Sequence, residues 1–113
     1  MFLQHVQIAV ADGQAGAFEA ALCEVRQRVF MCRGFRGFAV AQGAEDPSTY
    51  LVQVRWETAD ELVEFVDSGR FERCWAPAGP FLDRPLRVEH LVERPGLSDQ
   101  GPGVLTDLAW LSD

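Results

Sequence analysis

The sequence contains no lysine and no asparagine, and it has only two histidines, three cysteines and one tyrosine. The absence of lysine excludes Schiff-base chemistry by a side-chain amine. The absence of asparagine excludes any mechanism that needs its side-chain amide. Because the cysteine count is odd and no Cys-x-x-Cys pair occurs, the cysteines indicate a reduced chain rather than a disulfide framework.

Motifs for bound cofactors are also missing. The sequence has no G-x-G-x-x-G fingerprint, no P-loop and no nucleophile elbow. His5 and His90 lie far apart in the chain, and no cluster of histidine, cysteine and aspartate has the spacing of metal ligands. The sequence therefore predicts no cofactor and no metal.

Charge and hydropathy narrow the possible partners further. The formal net charge is -7, which argues against nucleic-acid binding because phosphates must be neutralised by a basic patch. No apolar run approaches membrane-spanning length, and the N-terminus lacks the pattern of a signal peptide. These features predict a cytoplasmic protein without membrane partners. With 113 residues, 48% of them hydrophobic, the chain suits one folded domain.

The stretch from Thr49 to Glu57 is the clearest element of the chain. It is rich in β-branched and aromatic residues, and it alternates with a period of two, which predicts a strand with two different faces. The apolar face, with helices laid over it, is expected to line a pocket. That face carries Tyr50, Val52, Val54 and Trp56, and the other carries Leu51, Gln53, Arg55 and Glu57.

The same reasoning places the other elements. Further strands are predicted over Leu3–Ala11, Phe35–Gln42 and Leu86–Glu93, and helices over Gln14–Cys32, from Thr58 onward and over Arg70–Trp75. Their boundaries are set by Asp12 as an N-cap, Gly34 as a left-handed cap, Gly37 as a bulge, Thr58 with Glu61 as a capping box, and Pro77, Gly79 and Pro80 as the end of the last helix.

The order β-α-β-β-α-β predicts a ferredoxin-like α+β fold, in which two helices cover one face of a four-stranded antiparallel sheet. The uncovered face would be half apolar, and a second copy is its simplest cover, so we expect a homodimer with sheets packed face to face. That face is predicted to carry Leu3, Ala9, Phe35, Leu51 and Leu91 among His5, Gln7, Gln53 and Arg55. We expect a domain over residues 1–94. Residues 95–113 would form a linker and an apolar tail that docks on its own or the partner subunit.

Several stretches resemble the antibiotic biosynthesis monooxygenase family, a branch of the dimeric α+β barrels. The resemblance covers about Leu3 to Glu93. It rests on Val6–Val10 followed by Gly13-Gln14 and Phe18-Glu19-Ala20, on Gly34–Phe38, on Glu45-Asp46-Pro47 leading to Tyr50–Glu57, and on Phe71, Trp75, Pro80-Phe81 and Val88–His90. The family includes quinone-forming monooxygenases of aromatic polyketide pathways, haem-degrading enzymes and quinol oxygenases. Related dimeric barrels include polyketide cyclases.

The resemblance implies that Trp56 lines a pocket between sheet and helices, although it could equally be a core aromatic. His90 is the candidate for proton transfer, since an imidazole titrates near neutrality and Val88 and Val92 flank it on an apolar face. A buried histidine bonded to one backbone carbonyl is the alternative. We take His90 and Trp56 as candidate catalytic residues. His5 is expected to face the dimer partner or solvent.

Four further aromatic residues are candidates for substrate binding: Phe71, Trp75, Tyr50 and Phe81. Phe71 and Trp75 are four residues apart and share one helical side, which is also the pattern of an ordinary core stripe. The resemblance makes Tyr50 a structural residue at its strand start as well.

The resemblance implies a small cofactor-independent monooxygenase that oxidises an aromatic, polyketide-like phenol or anthrone to a quinone in secondary metabolism. A polyketide cyclase or other non-oxidative tailoring enzyme is one alternative, and a non-catalytic dimeric ligand-binding protein is another. Haem degradation is not expected. That branch uses an asparagine on the first strand and an axial histidine in the second helical region, and this chain has neither.

Overall fold

A four-stranded antiparallel sheet is the framework of the protein, and the computed structural model describes residues 1–97. The strands run in the order β2-β3-β1-β4 across the sheet. They are β1 (Phe2–Ala9), β2 (Phe35–Gln42), β3 (Thr49–Trp56) and β4 (Arg87–Val92), and the helices are α1 (Ala15–Phe30), α2 (Ala59–Asp67) and α3 (Arg70–Trp75). This architecture confirms the predicted ferredoxin-like α+β fold.

Strand β3 lies between β2 and β1 and carries the predicted alternation. Val52, Val54 and Trp56 are fully buried in the core under the helices, whereas Leu51 and Arg55 lie half-buried on the opposite face. We call the first surface the helix-side face and the second the open face. Burying these three large apolar side chains contributes about 1.5–3 kcal/mol each, which makes β3 a main source of stability.

One predicted helix boundary was wrong, and another was confirmed. Asp12 does not cap α1, because the N-cap is Gln14 and it makes no side-chain capping hydrogen bond. The predicted end of the last α-helix is confirmed, because α3 stops at Trp75, just before Pro77. A 3-10 helix continues over Ala76–Phe81, with a proline in its first turn, where a missing N–H leaves no hydrogen bond unmade.

The bulge predicted at Gly37 is confirmed, and it corrects the position of Phe35. The register between β2 and β3 shifts between Phe35 and Gly37, so Phe35 pairs with Trp56 while Gly37 pairs with Arg55. An extra residue at this point reverses the alternation of the faces. Phe35 therefore packs against the core, not on the open face as predicted.

The turn between α1 and β2 packs closely against the start of α2. Gly34 has a φ of 88°, as its predicted left-handed conformation requires, and its carbonyl accepts the Glu57 N–H at 2.9 Å. A Cβ at Gly34 would lie 2.5 Å from Cδ of Glu61. Glu61 is itself fixed, since Thr58 Oγ1 accepts its backbone N–H at 3.2 Å, which confirms Thr58 as the cap.

The predicted tail and most of the predicted linker lie outside the described residues. In residues 1–97, no helix has the length and apolar character needed to cross a membrane. The last described element is a short 3-10 helix, Pro95–Leu97.

Candidate functional site

A histidine–glutamine pair lies on the helix-side face. Gln4 of β1 pairs in register with His90 of β4, and the Gln4 amide nitrogen is 3.1 Å from Nε2 of His90. With the amide oriented in this way, Gln4 donates and the imidazole nitrogen accepts. Gln4 is 0% exposed, whereas His90 is exposed. The pair thus joins an accessible imidazole to a buried amide.

Gln4 also stands between His90 and Trp56. On its other side, Gln4 pairs with Val54 of β3, and Trp56 follows Val54 by two residues on the same face. Such diagonal neighbours have Cα atoms about 7–8 Å apart. Within residues 1–97, Oε1 of Gln4 and Nε1 of Trp56 are both buried without a hydrogen-bond partner. The helix-side face therefore holds an unpaired buried acceptor next to the imidazole, on Gln4, and an unpaired buried donor one strand further on, at Trp56.

An aromatic cluster continues from Trp56 into the helices. The ring centroids of Trp56 and Phe65 are 4.6 Å apart, those of Phe65 and Phe71 are 6.0 Å apart, and those of Phe71 and Trp75 are 6.1 Å apart. The structure thus joins three residues predicted from the sequence, and Phe65 of α2 is the link between them. Nε1 of Trp75 is also buried without a partner among the described residues.

Within residues 1–97, no element covers the edge of the sheet beside His90. On the helix-side face of β4, Val88 is 42% exposed and Val92 is 58% exposed. His90 lies between these two valines, and we call the three residues the β4 strip. Its position makes the imidazole accessible to a ligand that has an apolar body.

Tyr50 lies at the opposite end of β3 from Trp56. Six residues of extended strand separate them, a distance of about 20 Å. The Tyr50 hydroxyl donates to Oε2 of Glu19 at 2.5 Å and accepts from the Gln42 amide at 3.2 Å. The hydrogen bond to Glu19, assisted by burial, raises the pKa of Tyr50 to about 12. Its hydroxyl is therefore engaged and protonated at neutral pH.

Phe81 lies at the same end of the sheet as Tyr50. It ends the 3-10 helix that follows α3, is half-buried against the core, and accepts the Ala11 N–H at its carbonyl at 2.9 Å. The structure does not bring Tyr50 or Phe81 to the cluster that contains Trp56.

A second histidine–glutamine pair occupies the open face. His5 of β1 and Gln53 of β3 are register partners, and Nε2 of His5 donates to Oε1 of Gln53 at 2.9 Å. Gln53 is 1% exposed, and its amide nitrogen has no hydrogen-bond partner within residues 1–97. The two pairs share strand β1 but face opposite ways, so each serves as a control for the other.

Within residues 1–97, no cluster has the composition of a metal site, because no three potential ligands come together there. All three cysteines are free. Burial, followed by the effect of the neighbouring Cys32, raises the pKa of the Cys74 thiol to about 11. That thiol is therefore protonated at neutral pH and a poor nucleophile.

Sequence reasoning missed Gln4. Its position in the alternation places it with Val6 and Ile8, on the apolar side of a central strand. A polar residue at such a position is unusual, because buried amides lose solvation unless they are paired. That departure from the pattern is the signal that could have identified it.

Comparisons with known proteins agree on one family. The sequence profile described as antibiotic biosynthesis monooxygenase matches residues 1–76. A candidate antibiotic biosynthesis monooxygenase from Bordetella bronchiseptica is similar to this chain at 29% identity and a TM-score of 0.71, over 82% of this chain and 97% of its own. No curated protein matches the chain.

More distant structures share the fold. A candidate antibiotic biosynthesis monooxygenase from Deinococcus radiodurans has 13% identity and a TM-score of 0.72, over 89% of this chain and 100% of its own. A Mycobacterium tuberculosis protein has 18% identity and a TM-score of 0.68, over 86% of this chain and 98% of its own.

Proposed function

The chain belongs to the antibiotic biosynthesis monooxygenase family, and we propose that it is a small cofactor-independent oxygenase. Its substrate would be an aromatic, polyketide-like phenol or anthrone that is oxidised to a quinone in secondary metabolism. One observation carries this proposal: His90 is accessible on the β4 strip and is hydrogen-bonded to the buried amide of Gln4. A base in an apolar strip suits a planar substrate with one acidic hydroxyl.

The proposed reaction begins with proton transfer from the substrate hydroxyl to His90. The resulting phenolate or carbanion gives electrons to dioxygen, and recombination forms a carbon–oxygen bond. Loss of water then leaves the carbonyl of the quinone. One oxygen atom enters the product and the other leaves as water, and the substrate supplies all four electrons. The substrate is thus its own reductant, and the reaction needs no flavin or metal.

The aromatic cluster supports binding of a planar ring system. Phe65 links Trp56 to Phe71 and Trp75, and of these four rings only Phe71 is partly exposed, so a planar substrate would stack on Phe71 while the other three support that ring from the core. The roles of Tyr50 and Phe81 in substrate binding stay predictions.

Oxygen uptake tests the proposal. Purified protein without added flavin or metal should consume dioxygen with anthrone or naphthol and form the quinone, which is followed by its absorbance. His90→Ala should lower the rate by about a hundredfold or more, as expected for loss of a general base. His5→Ala, on the open face, is the matched control and should keep the wild-type rate.

Two results would overturn the proposal. They are the absence of oxygen uptake with both substrate classes, and full activity of His90→Ala. Conversion that proceeds equally well under argon would favour the non-oxidative alternative, a cyclase of the same fold.

We further propose that the protein is a homodimer that pairs its open faces. Leu51 and Leu91 are half-buried on this face in the single chain, and a second copy would cover them. Light scattering should therefore give twice the 12.6 kDa mass of one chain. A single monomeric species at micromolar concentration would contradict the proposal.

A further inference from the structure

Two cysteines meet where the end of α1 packs against α3. Cys32 follows α1, and its backbone N–H donates to the Val29 carbonyl at 2.9 Å. Cys74 lies on α3 and is 7% exposed, and Cys32 is half-buried against the same core. The third cysteine, Cys23, is exposed on α1, about two and a half helical turns before Cys32. The fold thus places two thiols together and leaves the third apart.

Arg28 fixes this contact from both sides. Its backbone carbonyl accepts the Cys32 thiol at 3.6 Å, and its Nη1 donates to the Arg73 carbonyl at 2.8 Å, next to Cys74 in the chain. The guanidinium is itself held by an ion pair with Glu24, one turn earlier on α1, at 2.8 Å. One side chain therefore ties the segment that carries one thiol to the segment that carries the other.

The two thiols interact directly. Burial is the main cause that raises the pKa of Cys74 to about 11, and Cys32 raises it further through its charge and through a side-chain hydrogen bond. A hydrogen bond acts only at short range, so the two sulfur atoms lie side by side. Both thiols are free. Because Cys32 lies beyond the end of α1, in the turn that leads to β2, its side chain can change rotamer without disturbing a helix.

Cys32 is the thiol of this pair that a reagent can reach. It borders a cleft of about 610 Å³ between α2 and the turn after α1, and this volume is within the range of small-molecule sites. Arg33, Thr58 and Phe65 are among the other residues that line the cleft. Cys74 does not line it and is buried. A small reagent should therefore meet Cys32 first.

We propose that Cys32 and Cys74 form a reversible disulfide by exchange with a small disulfide such as oxidised glutathione. The Cys32 thiolate attacks one sulfur of the reagent, forms a mixed disulfide and releases one small thiol. The Cys74 sulfur then attacks the Cys32 sulfur, and the second small thiol leaves. The two protein thiols lose two electrons and two protons, and the reagent gains both as it becomes two thiols. Although the Cys74 thiol is a poor nucleophile in general, this step is intramolecular, and proximity raises its rate.

The first experiment incubates the full-length Cys23→Ser protein, in its native assembly, with oxidised glutathione. This substitution removes the exposed thiol that lies apart from the pair. The product should be about 2 Da lighter than the starting protein and have no free thiol, and dithiothreitol should restore the original mass. A digest made without reductant should contain a peptide that joins Cys32 to Cys74. A final product that carries glutathione, or a disulfide between two chains, would overturn the proposal.

Substitutions of the two cysteines, made in the same Cys23→Ser protein, test the order of the steps. Cys74→Ser should stop the reaction at the mixed disulfide on Cys32, which is about 305 Da heavier than the starting protein. Cys32→Ser should leave the buried Cys74 unmodified over the same time. A mixed disulfide that forms on Cys74 as fast as on Cys32 would contradict the proposed role of Cys32.

The stability of the oxidised protein gives an independent test. The bond would close a loop of about 40 residues, and cross-links of this length stabilise proteins mainly by restricting the unfolded chain. The oxidised Cys23→Ser protein should therefore unfold at a higher urea concentration than its reduced form, and Cys32→Ser treated in the same way should show no difference. A lower urea midpoint would show that the bond breaks the packing of α1 on α3, and it would overturn the proposal. These outcomes do not depend on oxygen uptake, so this site and the proposed oxygenase can fail separately.

Discussion

Replacing Gln4 by leucine should stabilise the fold and lower the activity at the same time. The two side chains have similar volume, so leucine fills the same space on the helix-side face. The substitution removes one hydrogen bond, from the amide nitrogen to His90 at 3.1 Å. It also removes Oε1, which is buried without a partner in the described part of the chain.

The sizes of these two effects decide whether Gln4→Leu raises or lowers the free energy of unfolding. A hydrogen bond of this kind contributes about 0.5–1.5 kcal/mol net, and an unsatisfied buried acceptor costs about 1–3 kcal/mol. Leucine should therefore raise the free energy of unfolding by about 1 kcal/mol. For a domain of this size that corresponds to a Tm increase of about 4–8 °C. The oxidation rate should fall, because the imidazole loses the group that orients it.

Urea unfolding gives the free energy of unfolding and oxygen uptake gives the oxidation rate, and both should be measured on the same preparation. Gln53→Leu is the matched control, since Gln53 is equally buried, is bonded to a histidine and has an unpaired amide nitrogen within residues 1–97. It should show a similar change in stability with no loss of oxidation rate. A Gln4→Leu protein that is less stable than wild type by more than about 1 kcal/mol would refute the energetic reasoning. Unchanged activity would refute the positioning role.

Two further predictions concern the frame around the site. Gly34→Ala should lower the free energy of unfolding in urea by about 2 kcal/mol or more, because a left-handed φ is unfavourable for alanine and its Cβ would meet Glu61. Gly16→Ala is the control, since a Cβ there meets no atom within 4 Å, and it should not destabilise the protein. Equal effects of the two substitutions would contradict this reasoning. The single tyrosine, Tyr50, should ionise near pH 12 in the folded protein and near 10 in urea, as followed by phenolate absorbance, and Glu19→Ala should lower the folded value. Because the folded state holds this proton more tightly, the stabilisation is complete below pH 10 and is lost as pH rises toward 12. Ionisation near pH 10 in the folded wild type would contradict the burial and bonding of Tyr50.

The fold could be predicted because local patterns and global topology agree. The alternation along β3 assigned Val52, Val54 and Trp56 to one face correctly, since a period of two leaves only two choices. Phe35 shows where such reasoning fails. One residue of bulge reverses the alternation, and a sequence does not show on which side of Gly37 the reversal falls.

The site was only partly predictable. Phe71 and Trp75 share one side of α3 through spacing alone, but their connection to Trp56 runs through Phe65 on another helix. The pairing of Gln4 with His90 joins residues at opposite ends of the sequence, and only the register of β1 with β4 brings them together. The two cysteines Cys32 and Cys74 were likewise not identified as a pair from the sequence, because only the folded chain places α3 against the end of α1.

The central claim is that His90, held by Gln4, receives the substrate proton on the helix-side face. Binding of naphthol under argon, where no oxidation can occur, tests it directly by NMR of the two histidine imidazoles. The ring resonances of His90 should shift on binding, with contacts from the naphthol ring to the methyl groups of Val88 and Val92, while those of His5 stay unchanged. Shifts confined to His5, or no change at His90 at saturating naphthol, would contradict the claim.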